Sequence, residues 1–235
     1  MLVAGGGHRV GRAIALYLAA AGAHVALSYR SSRDAAERTR GEIEALGRRS
    51  LAIEANVGDP ASAAAMVDAA AAALGGLDGY VHCPSGGFQP RPPERIDEAL
   101  WEDAVSSTAK GFLFAAQAAH RHMAAAGSGA MVAITDVAGL QPWPLFAAHG
   151  AAKAAQIHLV KTLALAWGRD GVRVCGVAPG PVLLPDGDRR GAGEETALGR
   201  IGTPGDVAAA VAFCLESPFV TGQNVIVDGG RLLRP

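Results

Sequence analysis

Three side chains in the middle of the chain are of the types that move a proton. His149 and Lys153 lie in the alanine-rich run His149-Gly-Ala-Ala-Lys153. On a helix, residues four apart share one face, so imidazole and ammonium point the same way. Asp136 closes an apolar run, Ile134-Thr135-Asp136, thirteen residues upstream. An imidazole gains and loses its proton near neutral pH. A histidine within reach of a carboxylate can therefore hold a proton and donate it in a reaction. The plainer reading makes His149 a polar residue lining a pocket that has lost its chemistry.

A second group of residues suits a phosphate. The first apolar run leads into Gly5-Gly6-Gly7-His8-Arg9-Val10-Gly11, and a helical pattern follows. Glycines there permit a tight turn and a close backbone approach to an anion, which sits well at a helix N-terminus. The spacing is Gly-x-x-x-Arg-x-Gly rather than GxGxxG. The second apolar run ends in Leu27-Ser28-Tyr29-Arg30-Ser31-Ser32. A protein that prefers NAD places an acidic side chain at that point, for the ribose 2′-hydroxyl. Arg30 with two hydroxyls beside it fits a 2′-phosphate instead. The expected cofactor is NADP(H). The alternative for Arg30 is a solvated residue opening a helix.

These residues need elements to position them. Short apolar, β-branched runs predict strands over 2–5, 24–29, 50–54, 79–82, 130–135, 172–177 and 224–227. Alanine-rich periodic stretches predict helices over 9–21, 33–45, 60–74, 100–126, 147–168 and 204–215. Strands alternating with helices, and apolar throughout, predict an α/β fold. Its seven-stranded parallel sheet would be doubly wound, of the Rossmann type, in a single domain over 1–235. Two stretches rich in Pro, Gly and charge interrupt the rhythm, 84–96 and 179–195. Both follow strands, at the end where open α/β sheets bind ligands. They are read as a substrate loop and a substrate lid, against the alternative of ordinary surface loops.

Composition narrows the function classes. The 235 residues carry 21 basic and 22 acidic side chains, a net charge of −1, which argues against nucleic acid as a partner. Half of the residues are hydrophobic and 18% charged, enough for a sizeable core. No apolar run reaches the length of a membrane span and no signal peptide opens the chain, so a cytoplasmic location is expected. The three cysteines, Cys83, Cys175 and Cys214, contain no CxxC and read as reduced core residues. His120 and His122 are two apart, on different helix faces, and make a poor metal pair. No metal site is expected.

In order along the chain, several motifs resemble those of the short-chain dehydrogenase/reductase family. They are the glycine turn, Asn56-Val57, Leu77-Asp78, the helix carrying Lys153, Ala178-Pro179-Gly180 and Val227-Asp228-Gly229-Gly230. Within the family the chain looks most like the pteridine reductase branch. Arg9 stands at the middle glycine of most members and Asp136 at their catalytic serine, as in pteridine reductases. Ser85-Gly-Gly-Phe88-Gln-Pro90 resembles their pterin-stacking loop, and Val182-Leu-Leu-Pro185-Asp186-Gly187 the lid of bacterial members.

The resemblance implies a hydride transfer from NADPH to a C=N or C=O bond of a small molecule, a pteridine among the candidates. It implies that Gly5, His8, Arg9, Val10, Arg30, Ser31, Asn56, Val57, Ser85, Lys153, Pro179 and Gly180 hold the cofactor. Arg9, Phe88, Asp136 and His149 would hold the substrate, with Asp136, His149 and Lys153 catalytic. Lys153 would bind the nicotinamide ribose. Trp143 and Phe146 would fall at the substrate pocket, although core packing explains them nearly as well. The small residues around His149 would pack against a symmetry mate, giving a homotetramer, with a dimer as second choice.

Departures from the family accompany the matches. The catalytic tyrosine is His149, Asn-Asn-Ala-Gly has become His82-Cys83-Pro84-Ser85, and Thr108 replaces an asparagine. A second reading is therefore a non-catalytic NADP-binding member that senses or scaffolds. A ketoreductase for acyl-carrier or sugar substrates ranks third, because it would ordinarily keep Ser and Tyr. Cys83, beside Pro84, reads as a strand-end residue, and no partner can be assigned to Asp186 or Asp188.

Overall fold

A computed structural model describes residues 1–182 and 196–233. Seven parallel strands form one sheet in the order β3-β2-β1-β4-β5-β6-β7. They are β1 (Leu2–Ala4), β2 (Val25–Tyr29), β3 (Ser50–Glu54), β4 (Gly79–His82), β5 (Gly129–Ile134), β6 (Val172–Pro179) and β7 (Asn224–Val227). The inner strands are apolar on both faces because helices cover both. In β1, Leu2 and Ala4 face one core and Val3 the other, the period of two that a strand imposes.

On Val3's side pack α1 (Arg9–Ala20), α2 (Arg33–Ala45) and α7 (Pro204–Glu216), through Ile14, Ile43 and Val211. On the other side pack α3 (Pro60–Leu74), α5 (Gly111–Ala126) and α6 (Ala147–Trp167), through Met66, Phe112 and Val160. Local chemistry fixes several helix ends. Asp59 accepts from Ser62 N at 2.8 Å before Pro60, and α3 stops at Gly75 with φ +79. Thr203 and Asp206 form a capping box at α7.

The fourth helix differs from the expectation of one rod over 100–126. It is α4 (Glu98–Val105), then a π-helical turn over Ser106–Lys110, then α5. No glycine or proline marks the break from within α4. At the break the helix meets β4, where His82 Nε2 donates to Ser107 O at 3.0 Å, a carbonyl of the π-helical turn. Strand β6 also runs past the expected end at 177, pairing Ala178 with Ile226 and Pro179 with Val227. Pro179 thus belongs to the strand rather than to the loop after it. Among the described residues no helix is long and apolar enough to cross a membrane.

The first strand and helix meet with almost no room. A Cβ on Gly11 would lie 2.1 Å from Gly5 O and 2.9 Å from Gly5 C. Gly11→Ala is expected to cost about 2–3 kcal/mol in urea unfolding. A loss below about 0.5 kcal/mol would show that the turn yields without strain.

Candidate active site

The sheet order reverses between β1 and β4, and the crevice above those strands is where the carboxyl ends open. Asp136 leaves β5 in an extended conformation and caps the turn Val137–Gly139, its Oδ1 accepting from Ala138 N at 2.8 Å. Its other oxygen, Oδ2, lies 3.4 Å from His149 Nε2. The His149 ring is buried, and its Nδ1 lies 3.2 Å from Gly86 O. Both nitrogens therefore face acceptors. A doubly protonated ring donates to both, whereas a neutral ring satisfies one.

One helical turn on, Lys153 Nζ donates to Ile134 O at 2.6 Å and to Gln156 Oε1 at 3.4 Å. Burial lowers the lysine pKa to about 8, although the Asp136 carboxylate pulls it upward. Close packing makes this placement possible. A Cβ on Gly139 would come within 2.9 Å of Ala154 N and Lys153 C, and one on Gly150 within 2.9 Å of Ala138 O. Ala148 and Ala152 pack on Ala104 of α4. Part of the small-residue face of α6 is thus used within the chain.

The departures at β4 have structural reasons. Tyr80 OH donates to His82 Nδ1 at 2.6 Å, and His82 Nε2–H donates to Ser107 O. That pattern fixes one neutral tautomer, and burial pushes the His82 pKa down to about 3. Burial pushes the Cys83 thiol up to about 12, so it stays protonated and is no nucleophile. Thr108 is fully buried in the π-helical turn, and its Oγ1 has no hydrogen-bond partner among the described residues.

At the phosphate end, Gly5 takes φ +71 and donates to Ser28 Oγ at 3.3 Å, while Gly6 N donates to Ser28 O at 3.1 Å. Whereas α3, α4 and α7 are capped by Asp59, Asp97 and Thr203, α1 begins at His8 with no side-chain cap. Its first turn also carries no acidic residue. The free N–H groups and the helix dipole there fit a phosphate. Arg9, exposed beside them, holds φ +51, which glycine adopts freely and an arginine only under strain. Val10 is half-buried against the core.

Arg30 and Ser31 are exposed at the end of β2, and Arg30 Nη1 lies 3.8 Å from Asp103 Oδ1. Asn56 accepts from Gly58 N at 3.2 Å, while the Val57 side chain is in the core, which leaves only its backbone for a ligand. Gly180 N donates to Val227 O at 3.0 Å, and a Cβ there would lie 2.7 Å from Asp228 Cβ. Uncapped amides, Arg30 and the Lys153 ammonium along one crevice fit an extended, phosphate-bearing dinucleotide.

The loop after β4 lies over His149. Phe88 meets the His149 ring edge to face, with centroids 5.0 Å apart, and stacks on Phe146 at 4.6 Å. Trp143 meets Phe146 in turn, and Arg91 N donates to Leu145 O at 2.8 Å, tying the two loops together. These aromatics line the mouth of the site rather than the core. Ser85 is exposed beside them. Sequence reasoning missed the Gly86 carbonyl and Asp103. Asp103 Oδ2 accepts from Gly87 N at 2.9 Å, and a Cβ on Gly86 would lie 2.3 Å from Asp103 O. The adjacent glycines were the only signal of that contact.

Other candidates lie elsewhere. His120 bonds Asp170 at 2.8 Å and stacks on Trp167, and His122 bonds Asp68 at 2.7 Å. Among the described residues no His, Cys, Asp and Glu cluster could hold a metal ion. Asp186, Asp188 and most of the expected lid, residues 183–195, lie outside the described residues.

Residues 6–231 match the family described as enoyl-(acyl carrier protein) reductase. The chain is 34% identical to a 3-oxoacyl-(acyl-carrier-protein) reductase of Staphylococcus aureus, over 99% of this chain and 97% of that one. A short-chain dehydrogenase from Burkholderia cenocepacia, solved with NADP, superposes with a TM-score of 0.92 at 33% identity, covering 98% of this chain and 96% of that one. A 7α-hydroxysteroid dehydrogenase solved with NADH superposes at 0.91 with 29% identity, covering 97% and 92%.

The buried lysine has a thermodynamic signature. Its pKa is lowered on folding, so between pH 8 and 10.5 the unfolded chain binds the extra proton and native stability rises with pH. From pH 8 to 10, without added cofactor, the wild type should gain on the order of 2 kcal/mol relative to Lys153→Met in urea unfolding. Parallel pH profiles would show an ammonium that is solvated after all.

Proposed function

The chain belongs to the short-chain dehydrogenase/reductase family, whose members bind a nicotinamide cofactor, and we propose that it is an NADPH-dependent reductase of a small carbonyl or imine compound. The observation that carries this reading is the His149 ring held between Asp136 and the Gly86 carbonyl, with Lys153 one turn below. When bound, the nicotinamide supplies a hydride.

The chain's own residues supply the rest. The α1 amides and Arg30 bind phosphates, and Arg30, with no acid beside it in the β2 loop, favours the 2′-phosphate of NADP(H). Lys153 takes the nicotinamide ribose hydroxyls in place of the Ile134 carbonyl. Asp136 orients the His149 ring through Nε2. The substrate oxygen or nitrogen replaces Gly86 O at Nδ1, directly or through one water, and receives its proton there. Phe88, Phe146 and Trp143 offer aromatic faces to a flat substrate, which keeps a pteridine within the proposed class.

Purified protein should oxidise NADPH in the presence of a dihydropterin or a cyclic ketone, with NADH as the weaker donor. His149→Phe should lose at least about 100-fold in kcat while still binding NADPH. Turnover that survives the substitution intact removes the imidazole from the mechanism. A second reading, a non-catalytic nucleotide-binding protein, follows from His149 standing where the family's catalytic tyrosine is expected, with Gly5, Arg30 and Lys153 kept. It is the conclusion if NADPH binds tightly and no carbonyl or pterin is turned over.

The proposed assembly is a homotetramer. The outer face of α6 leaves Ala151, Ala154 and Ala155 exposed, small residues that let a second copy come close, with Leu165 88% exposed further along the same helix. Light scattering should give four times the chain mass, and Leu165→Glu a smaller species. A monomeric wild type overturns the assignment.

A further inference from the structure

Asp103 stands between the two halves of the site. It lies on α4, one turn before the π-helical break, and its two carboxylate oxygens have different partners. Oδ1 is 3.8 Å from Arg30 Nη1, at the end of β2. Oδ2 accepts from Gly87 N at 2.9 Å, in the loop that covers His149. The loop is seated there by shape as well, since a Cβ on Gly87 would lie 2.4 Å from Ala104 Cβ. Gly86, next along, carries the carbonyl that meets the His149 ring. Arg30, Asp103, Gly87, Gly86 and His149 thus form one continuous line of polar contacts from the nucleotide end to the proton end.

The two bonds to Asp103 differ in strength. The contact with Arg30 is long and exposed on both sides, which makes it weak and easily exchanged. The Gly87 bond is short, charge-assisted and partly buried. A dianionic 2′-phosphate competes for the same guanidinium more strongly than a single distant carboxylate does. Once Arg30 is taken, the Asp103 charge is left to the loop amide and also faces the phosphate as a like charge.

We infer that Asp103 is a positioning and specificity residue that gives up Arg30 to the cofactor's 2′-phosphate and keeps the substrate loop. This rests on the NADP(H) reading above. Asp103 lowers affinity for the phosphorylated nucleotide and ties nucleotide binding to the seat of Gly86 over His149. It touches neither the hydride nor the transferred proton.

The probe is adenosine 2′,5′-bisphosphate, titrated calorimetrically against the full chain beside adenosine 5′-phosphate. Asp103→Asn removes the charge and keeps an oxygen for Gly87 N–H. It should tighten the bisphosphate roughly three- to tenfold and leave the monophosphate within about twofold. Asp103→Ala should tighten the bisphosphate likewise, but should also speed amide exchange in residues 84–90, which Asn should leave close to wild type. In the wild type, adding the bisphosphate should slow exchange in that loop; in the Ala variant it should not. A bisphosphate-to-monophosphate ratio unchanged or lowered in both variants overturns the role of Asp103. If the wild type binds the two nucleotides equally, it is the NADP(H) reading that fails.

Discussion

All seven strands point their carboxyl ends to one edge, and the chain order turns back between β1 and β4. Helices leaving those two strands depart to opposite faces, so nothing in the regular architecture closes the gap above them. Every candidate residue for chemistry is delivered to that gap by a strand end or by the first turns of a helix. The glycine turn follows β1, Arg30 follows β2 and Asp136 follows β5. The one buried ammonium, among the described residues, is held there by the last carbonyl of β5.

The degree to which this was legible in the sequence follows from how local each feature is. All seven strands lie close to where apolar runs place them, and the inner ones, covered on both faces, must be apolar throughout. The facing of His149 and Lys153 follows from helix geometry alone. The contact of His149 with Asp136 needed the turn over Val137–Gly139 to bring α6 back across β5. The π-helical break was not legible, since no glycine or proline marks it and its contact with His82 comes from far away in sequence. Asp103 was invisible for the same reason, because its partners come from two separate loops. At Val57 a motif position places its side chain in the core, so that a ligand there would meet only its backbone.

The chemistry of the site is set by what surrounds one imidazole. With an oxygen at each nitrogen, an N–H of the ring becomes available to another molecule only when an existing contact is replaced. The contact easiest to replace is the loop carbonyl, because Asp136 is fixed by its own bond to Ala138 N. Phe88 belongs to that loop and Phe146 lies against it, so the position of the loop also sets the aromatic surface beside the imidazole.

The Tyr80–His82 pair that meets the helical break reaches beyond the site. A histidine kept neutral in the fold, with a pKa near 3, accepts a proton readily once the chain unfolds. As pH falls below the ordinary histidine value, each unfolding event gains a proton that the native state refuses, and this pull grows until pH 3 is reached. The group that seats one turn of helix near Lys153 therefore also limits how much acid the whole fold can tolerate.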